Sequence, residues 1–377
     1  MDRKGQLLGA AMIGGLAQLL PWLRPAATVP SMDGALRPNQ ELDRAVLLTE
    51  CAGPDNLVWQ DDHLLFTSGK RVLLLDSLHQ EGLEPEEILH FDSEITALAA
   101  GEDGSLAVGL GAAGIALVGG AYDGRIITAL GGKKIVSPTA LTFADPDTLF
   151  VCLGSDAHAA PDWQRDLLER RHAGSLWRVP LNGGPPSCLA THLGFPNGLL
   201  LHDKGRIAVA EAWRHRLLDF PTGERGAPRV LLDDLPGYPG RLSPAPDGGA
   251  WLSVFAPRSQ LVEFVLREDR YRHWMMETIE PAHWIAPTLR AGISYKEPMQ
   301  GGAVKTLGIF KPWAPSRSYG LAVRLDGDFT PSASLHSRAD GKRHGVTSCL
   351  EIRGELIVAC KGDNVLVSAD LAQERDA

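Results

Sequence analysis

Apolar positions along this chain fall in short runs bounded by Gly, Pro, Asn and Asp, and helical spacing is scarce. Residues 195–254 show the layout most clearly. They read FPNGLLLHDKGRIAVAEAWRHRLLDF, then a Pro- and Gly-rich gap, then LLDDLPGYPGRLSPAPDGGAWLSV. In each half a Pro/Gly/Asn loop leads into a strand, a Gly turn leads into a second strand, and that strand ends on polar residues. The same layout recurs elsewhere. LVWQ, HLLFTSG and RVLLLD (57–76) read as consecutive strands, and ITALAAGEDGSLAVGLGAAGIALVGG follows from Ile95 with Asp103-Gly104 as a hairpin signal. ALTFADPDTLFVCLG with GSLWRVPL makes a third unit, and the two halves of 195–254 make the fourth and fifth. GLAVRLD from Gly320, CLEIRGELIVACKG from Cys349 and NVLVS from Asn364 supply the last. About six units of roughly 40–60 residues predict an all-β, six-bladed β-propeller with short helical inserts, whose function sits on the rim loops around the central channel.

Two stretches break the rhythm. Residues 161–172 (PDWQRDLLERRH) have helical spacing and read as a short helix on one face. Residues 270–315, rich in Trp, Met and Pro, read as a helical excursion over one rim, either a lid over a pocket or a helix packed on the outer surface. At the N-terminus, Arg3 and Lys4 precede a mostly apolar run over 7–23. Its charge-then-apolar order suits a signal sequence or an uncleaved membrane anchor; an ordinary N-terminal helix is the other reading. The expected organisation is a signal- or anchor-like segment over 1–24, a linker over 25–45 and a propeller over 46–377.

The bulk numbers narrow the partners. The 377 residues carry a formal charge of −9 and no large Lys/Arg cluster, which argues against nucleic acid. The odd set of five cysteines (Cys51, Cys152, Cys188, Cys349, Cys360) has no CxxC pair. Cys51 and Cys360 could meet where a ring closes; buried free thiols are the plainer reading. No Walker-type loop or HExxH spacing is present.

FPNG (195–198), VAEAWRHRLL (209–218), LPGYPGRLSPAPDGGAWLSV (235–254) and SLHSRADGKRHGVTSCLEIRGELIVAC (334–360) together resemble the strictosidine-synthase-like branch of six-bladed propellers. GPDNL (53–57) and DLLERRHAGSLWRV (166–179) extend the resemblance over most of 51–371. That superfamily also holds the paraoxonases and the SMP-30/gluconolactonase group. The resemblance implies a divalent cation, such as calcium, in the channel, with oxygen ligands from several blades. Asp55, with Asn56 beside it, and Asn197 match ligand positions. Two positions depart: SPTAL puts Pro138 and Thr139, and YPGRL puts Gly240 and Arg241, where Asn-Asp and Asp-Asn type pairs are expected. A guanidinium at Arg241 would repel a divalent ion and could pair with Asp55. One unit-charge interaction at about 4 Å and an effective dielectric near 20 is worth roughly 4 kcal/mol, enough to oppose metal at a site short of ligands. Freed from metal, Arg241 would either bind an anionic ligand group or form a structural pair with Asp55 in the channel. The condensing enzyme of this branch uses a glutamate in its last blade. Gly345, Val346 and Thr347 stand there instead, and Glu351 is displaced into a strand.

Other residues carry candidate chemistry. Glu211 and His215, with Arg214, end the second strand of the fourth unit, where a rim histidine could act as general base or simply bond between blades. His336 and His344 flank a loop with Arg338 and Arg343; they could line the channel mouth and bind a carboxylate, or form a solvated polar loop. Ser155, Asp156 and His158 are too close in sequence for an ordinary triad. Two functions follow. One is hydrolysis of a small ester or lactone, with Asp55 and Asn197 holding metal and His215 or His344 moving protons. The other is a non-catalytic propeller that binds a small molecule or partner and has lost the metal. Membrane association through the N-terminus accompanies either, with an anchored or exported location.

Overall fold

The computed structural model describes residues 28–76, 82–202, 205–223, 225–294, 296–298, 305–306, 309–310 and 316–371. Six four-stranded antiparallel sheets stand around a central channel. From the channel outwards, blade one is Pro54–Gln60, His63–Ser68, Arg71–Leu75 and Glu86–His90. Blade two is Ala97–Ala100, Leu106–Gly109, Ile115–Val118 and Ile126–Ile127. Blade three is Pro138–Asp145, Thr148–Leu153, Gly174–Pro180 and Ser187–Leu193. Blade four is Pro196–Leu201, Arg206–Glu211, Arg216–Pro221 and Arg229–Leu232. Blade five is Gly237–Pro244, Ala250–Pro257, Gly320–Leu325 and Pro331–Ser337. Blade six is Val346–Ile352, Glu355–Cys360, Val365–Asp370 and, outermost, the N-terminal strand Val46–Glu50.

The sequence assigns GLAVRLD to the last unit and names no strand at 46–50, and the structure corrects both. Gly320–Leu325 bonds to Ala250–Pro257 inside blade five, and blade six is completed from the other end of the chain, with Val46 opposite Ser368 and Glu50 opposite Val365. The helical excursion delays the third strand of blade five by some sixty residues, so it reads in sequence as the start of a new unit. Pairing a strand from one end of the chain with the last strands from the other end locks the ring closed.

Apolar clusters fill the gaps between neighbouring blades all the way round. The second strand of each blade is packed on both faces, which is why it reads as a continuous apolar run and not as an alternation. Every residue of Ala250–Pro257 is buried. The outer strands Glu86–His90 and Arg229–Leu232 have no fully buried residue. All five cysteines are free thiols, four of them buried, and Cys51 and Cys360 do not pair.

The stretch before Val46–Glu50 is more than an extended linker. Residues 28–45 strap the outer edge of blade five. Asn39 Nδ2 donates to the Ser334 carbonyl at 2.7 Å, its Oδ1 accepts from the His336 amide at 2.9 Å, and Asp43 accepts from Ser337 and the Lys342 amide. Leu42 is fully buried in the blade five–six cluster. The apolar run over 7–23 lies outside the described residues. Among those described, no helix is long and apolar enough to cross a membrane.

Candidate functional site

The channel residues are placed by a repeated backbone device. The innermost strands of five blades slip register near their first residues: between Asp55 and Val58, Pro138 and Ala140, Pro196 and Gly198, Pro239 and Leu242, and Val346 and Ser348. A bulge turns an extra side chain off the ladder. The side chains so released include Thr139, Asn197, Arg241 and Thr347, and all four line one cavity. Proline precedes three of these slips directly, where its missing N–H costs no ladder bond. Glycine permits the close approach of blades four and five. A Cβ on Gly198 would stand 2.3 Å from the Gly240 carbonyl oxygen; within blade five, one on Gly240 would stand 2.6 Å from Ser253 Oγ.

Arg241 occupies the middle of the channel. Its Nε donates to Asp55 Oδ1 at 2.8 Å, Nη1 to the Thr139 carbonyl at 2.7 Å and Nη2 to the Thr96 carbonyl at 3.0 Å. One side chain from blade five thus ties blades one and three and the approach to blade two. Lys361, just after the second strand of blade six, reaches Asp55 Oδ2 at 3.2 Å. Burial alone would raise the Asp55 pKa; the charges of Arg241 and Lys361 outweigh it and hold the carboxyl well below its usual range.

Above Arg241 lies a cavity of about 510 Å³. Its floor is Arg241, Lys361, Asp55 and Asn197, and its walls include Ile95, Trp163, Phe195, Phe255 and Leu289. The aromatic wall has its own support. Phe195 stacks on Trp213 at 4.6 Å between ring centres, Trp163 meets Phe255 edge-on at 5.4 Å, and Trp213 Nε1 donates to the buried Asp166 at 2.7 Å. Trp163 opens the short helix Trp163–Leu168, the one expected over 161–172. Leu289 comes from the excursion, which begins earlier than its Trp-rich part: Ser259 caps the helix Gln260–Arg267, and a second helix, Asp269–Thr278, follows. The excursion therefore contributes to the pocket wall and also packs a core of its own around Val265, Met275 and Trp284.

The donor set does not fit a divalent cation. A hard cation takes about six to eight oxygens. Asp55 has both oxygens committed to cations, and its Oδ1 also accepts from the Asn56 amide at 2.8 Å. Asn56 Nδ2 is spent on Thr67 Oγ1; its buried Oδ1 has no partner, but one amide oxygen does not replace a carboxylate. The guanidinium already holds the Thr96 and Thr139 carbonyls. Among the described residues no group of three His, Cys, Asp or Glu side chains converges as a metal cluster would.

The remaining candidates lie away from the cavity. Glu211 is fully buried and bonded to the Gly194 amide, Arg214 and Arg216. His215 stands between blades, with Nδ1 at 3.1 Å from the Gly237 carbonyl and Nε2 at 3.5 Å from Glu263; burial lowers its pKa despite that carboxylate. His344 bonds Ser318 and the Arg338 carbonyl, and burial lowers its pKa too. His336 is buried between Tyr319 and Ser334, which pushes its pKa down to about 4. Arg343 pairs with Asp363 at 2.7 Å on another depression. Ser155, Asp156 and His158 diverge: Asp156 pairs with Arg171 and His158 with Glu169. Glu351 accepts from Trp251 at 2.7 Å in a strand of blade six, while Thr347 faces the cavity. Lys361, Thr96 and the aromatic wall were not singled out from sequence. For Lys361 the signal is its position directly after LIVAC, just past a second strand, where the chain returns to the channel rim; Thr96 and Phe195 instead directly precede innermost strands.

Comparison with known proteins establishes the fold. No family model matches the chain. A gluconolactonase from Xanthomonas campestris superposes with a TM-score of 0.54 at 14% identity, over 92% of this chain and 98% of that one. A putative gluconolactonase superposes with a TM-score of 0.52 at 13% identity, over 86% and 90%. At the sequence level, the adipocyte plasma membrane-associated protein of Danio rerio is 21% identical over 271 residues, 66% of this chain. The chain spans 65% of that relative's length. This protein is a six-bladed β-propeller.

Proposed function

We propose that the channel cavity binds a small amphiphile through an anionic oxygen group, without metal. The observation that carries this reading is Arg241 in the channel, bonded to Asp55 and two carbonyls. The floor sets two cations against one carboxylate and offers the Asn197 amide beside them. Lys361 is partly exposed and keeps ammonium hydrogens for a ligand carboxylate. The walls are apolar and aromatic, as ligand pockets of this size usually are. Glu94 sits exposed at the mouth and disfavours a second negative group there. We further propose that the protein works at a membrane, on the apolar run over 7–23 and on the name of the zebrafish relative.

The test is a thermal shift with decanoate against decanol, each with and without calcium. Saturation at a hundredfold over Kd adds about 2.7 kcal/mol to stability. Decanoate should raise the Tm, decanol should do so far less, and calcium should do nothing. Lys361→Met should weaken decanoate roughly tenfold or more, the scale of a lost charge-assisted bond. A calcium shift with no decanoate shift would overturn the reading.

A second reading, lactone hydrolysis in the same cavity, is favoured by the two propellers of this fold named for gluconolactonase. Here Arg241 and Lys361 would stabilise the developing oxyanion. Water activation would fall to Glu94, since the other cavity carboxylate, Asp55, is held as an ion pair. Turnover of gluconolactone that is lost in Glu94→Gln would establish it.

A further inference from the structure

The exposed aromatic side chains of the described residues are confined to one place. Phe264, Tyr271 and Trp274 are 54%, 40% and 51% exposed, and all three lie on the helices Gln260–Arg267 and Asp269–Thr278. Ile293, at 75%, follows in the same excursion. Tyr271 and Trp274 stand one turn apart with ring centres 5.7 Å from each other, so the two half-exposed rings form one aromatic patch. A monomeric propeller has no reason of packing to hold three rings out of its core, and such patches mark contact surfaces.

The excursion leaves blade five at the end of its second strand. In this fold that is the end where the innermost strands begin, and therefore the cavity face: Asp55, Asn197 and Thr347 lie there, and so do Phe255 and Lys361 at the ends of second strands. The described N-terminus reaches the same place. The Thr28 carbonyl accepts from Arg258 Nη2 at 3.5 Å, and Arg258 immediately precedes the Ser259 cap of the first helix. Leu23 closes the apolar run five residues before Thr28. The exposed charges of the two helices include both Arg270 and the acidic Asp269 and Glu277, which argues for a zwitterionic surface and against one that demands a basic patch.

From this convergence we infer that the helical excursion is the face the protein lays on a phospholipid bilayer. Phe264, Tyr271 and Trp274 enter the headgroup region, where amphipathic rings are favoured. The cavity mouth then faces the same surface, which would supply its amphiphile. The inference rests on the membrane reading above and adds which face is used.

The experiment uses the full chain with phosphatidylcholine vesicles whose acyl chains are brominated, a quencher of tryptophan within the bilayer. Sedimentation with the vesicles reports binding. The quenching lost in Trp274→Phe reports that one ring, because the other tryptophans are common to both proteins. The expected result is co-sedimentation of both, with a clear share of wild-type quenching absent from Trp274→Phe. Tyr271→Ser keeps the reporter, removes its neighbour and should cut that share at least about twofold. Failure to sediment would overturn the membrane reading and this face together. Sedimentation with identical quenching in wild type and Trp274→Phe would overturn the face alone. So would a dimer in which Trp274 stays shielded from brominated lipid.

Discussion

The two ends of the channel are built from the same six strands yet differ in kind. Arg241 lines both, and marks the division. On the excursion side the cavity has a charged floor, an aromatic wall and loops added to blades three and five. On the other side a throat of about 320 Å³ is lined mainly by Leu57, Leu98, Leu141, Leu199 and Leu350, with only Ser, Thr and amide groups for polarity besides Arg241. The bulges explain the contrast. They occur near the first residues of the innermost strands, so only that end has side chains turned off the ladder into the channel. Past these bulges the ladders run regularly, apart from a second shift at the far end of blade three, between Phe143 and Asp145, where Ala144 is exposed. The charge in the channel therefore sits at the cavity end, and substitutions should separate the two ends.

The largest separation should come from Asp55→Ala. It leaves Arg241 buried without its carboxylate, a loss of about 3–5 kcal/mol in denaturant unfolding. Ser348→Ala in the throat removes one acceptor, at 3.1 Å from the Leu57 amide, and should cost about 1 kcal/mol. Equal losses would mean that the ion pair carries no special weight. Next comes pH. His336 is neutral in the fold down to about pH 4, whereas the unfolded chain takes up a proton near 6.5. The unfolded state binds more protons between those values, so stability falls on acidification from 6.5 to 4, by up to about 3 kcal/mol. His336→Gln should flatten that slope. Asp55, with its lowered pKa, acts below this window. Its stabilisation is full above the unfolded value near 3.9 and fades as pH drops further, and Asp55→Asn should remove that acid limb. A smaller effect is expected from Trp213→Phe. The ring stack on Phe195 survives, the bond to buried Asp166 does not, and about 1–3 kcal/mol should be lost.

Much of the cavity end could be read from the chain, and the reason is local. GPDNL, SPTAL, FPNG and YPGRL each announce an innermost strand, and the residue after each proline is Asp55, Thr139, Asn197 or Gly240 beside Arg241. A bulge is a short-range feature with a short-range signal. What sequence could not show is which side chains are already spent. Glu211, His215 and His344 have the residue types of catalysis, but their partners, Arg216, Glu263 and Ser318, come from other segments or turns. The same holds for the strap, where Asn39 and Ser334 are some three hundred residues apart, and for Val46–Glu50, whose place in blade six is fixed only when the ring closes.

The smallest predicted effect bears most directly on the division at Arg241. Trp59 lines the throat, and the Arg353 guanidinium lies 5.5 Å from its ring centre. Trp59→Phe keeps an aromatic in place and should cost under about 1.5 kcal/mol, part of it the weaker cation–π contact. Decanoate affinity should change less than about twofold, because Arg241 and the bulged residues stand between Trp59 and the cavity. Trp163→Ala, on the cavity wall, should lower that affinity roughly tenfold by the apolar contact it removes. If Trp59→Phe weakens decanoate as much as Trp163→Ala does, ligand passes Arg241. The channel would then be one continuous pore, with the guanidinium as a gate in it.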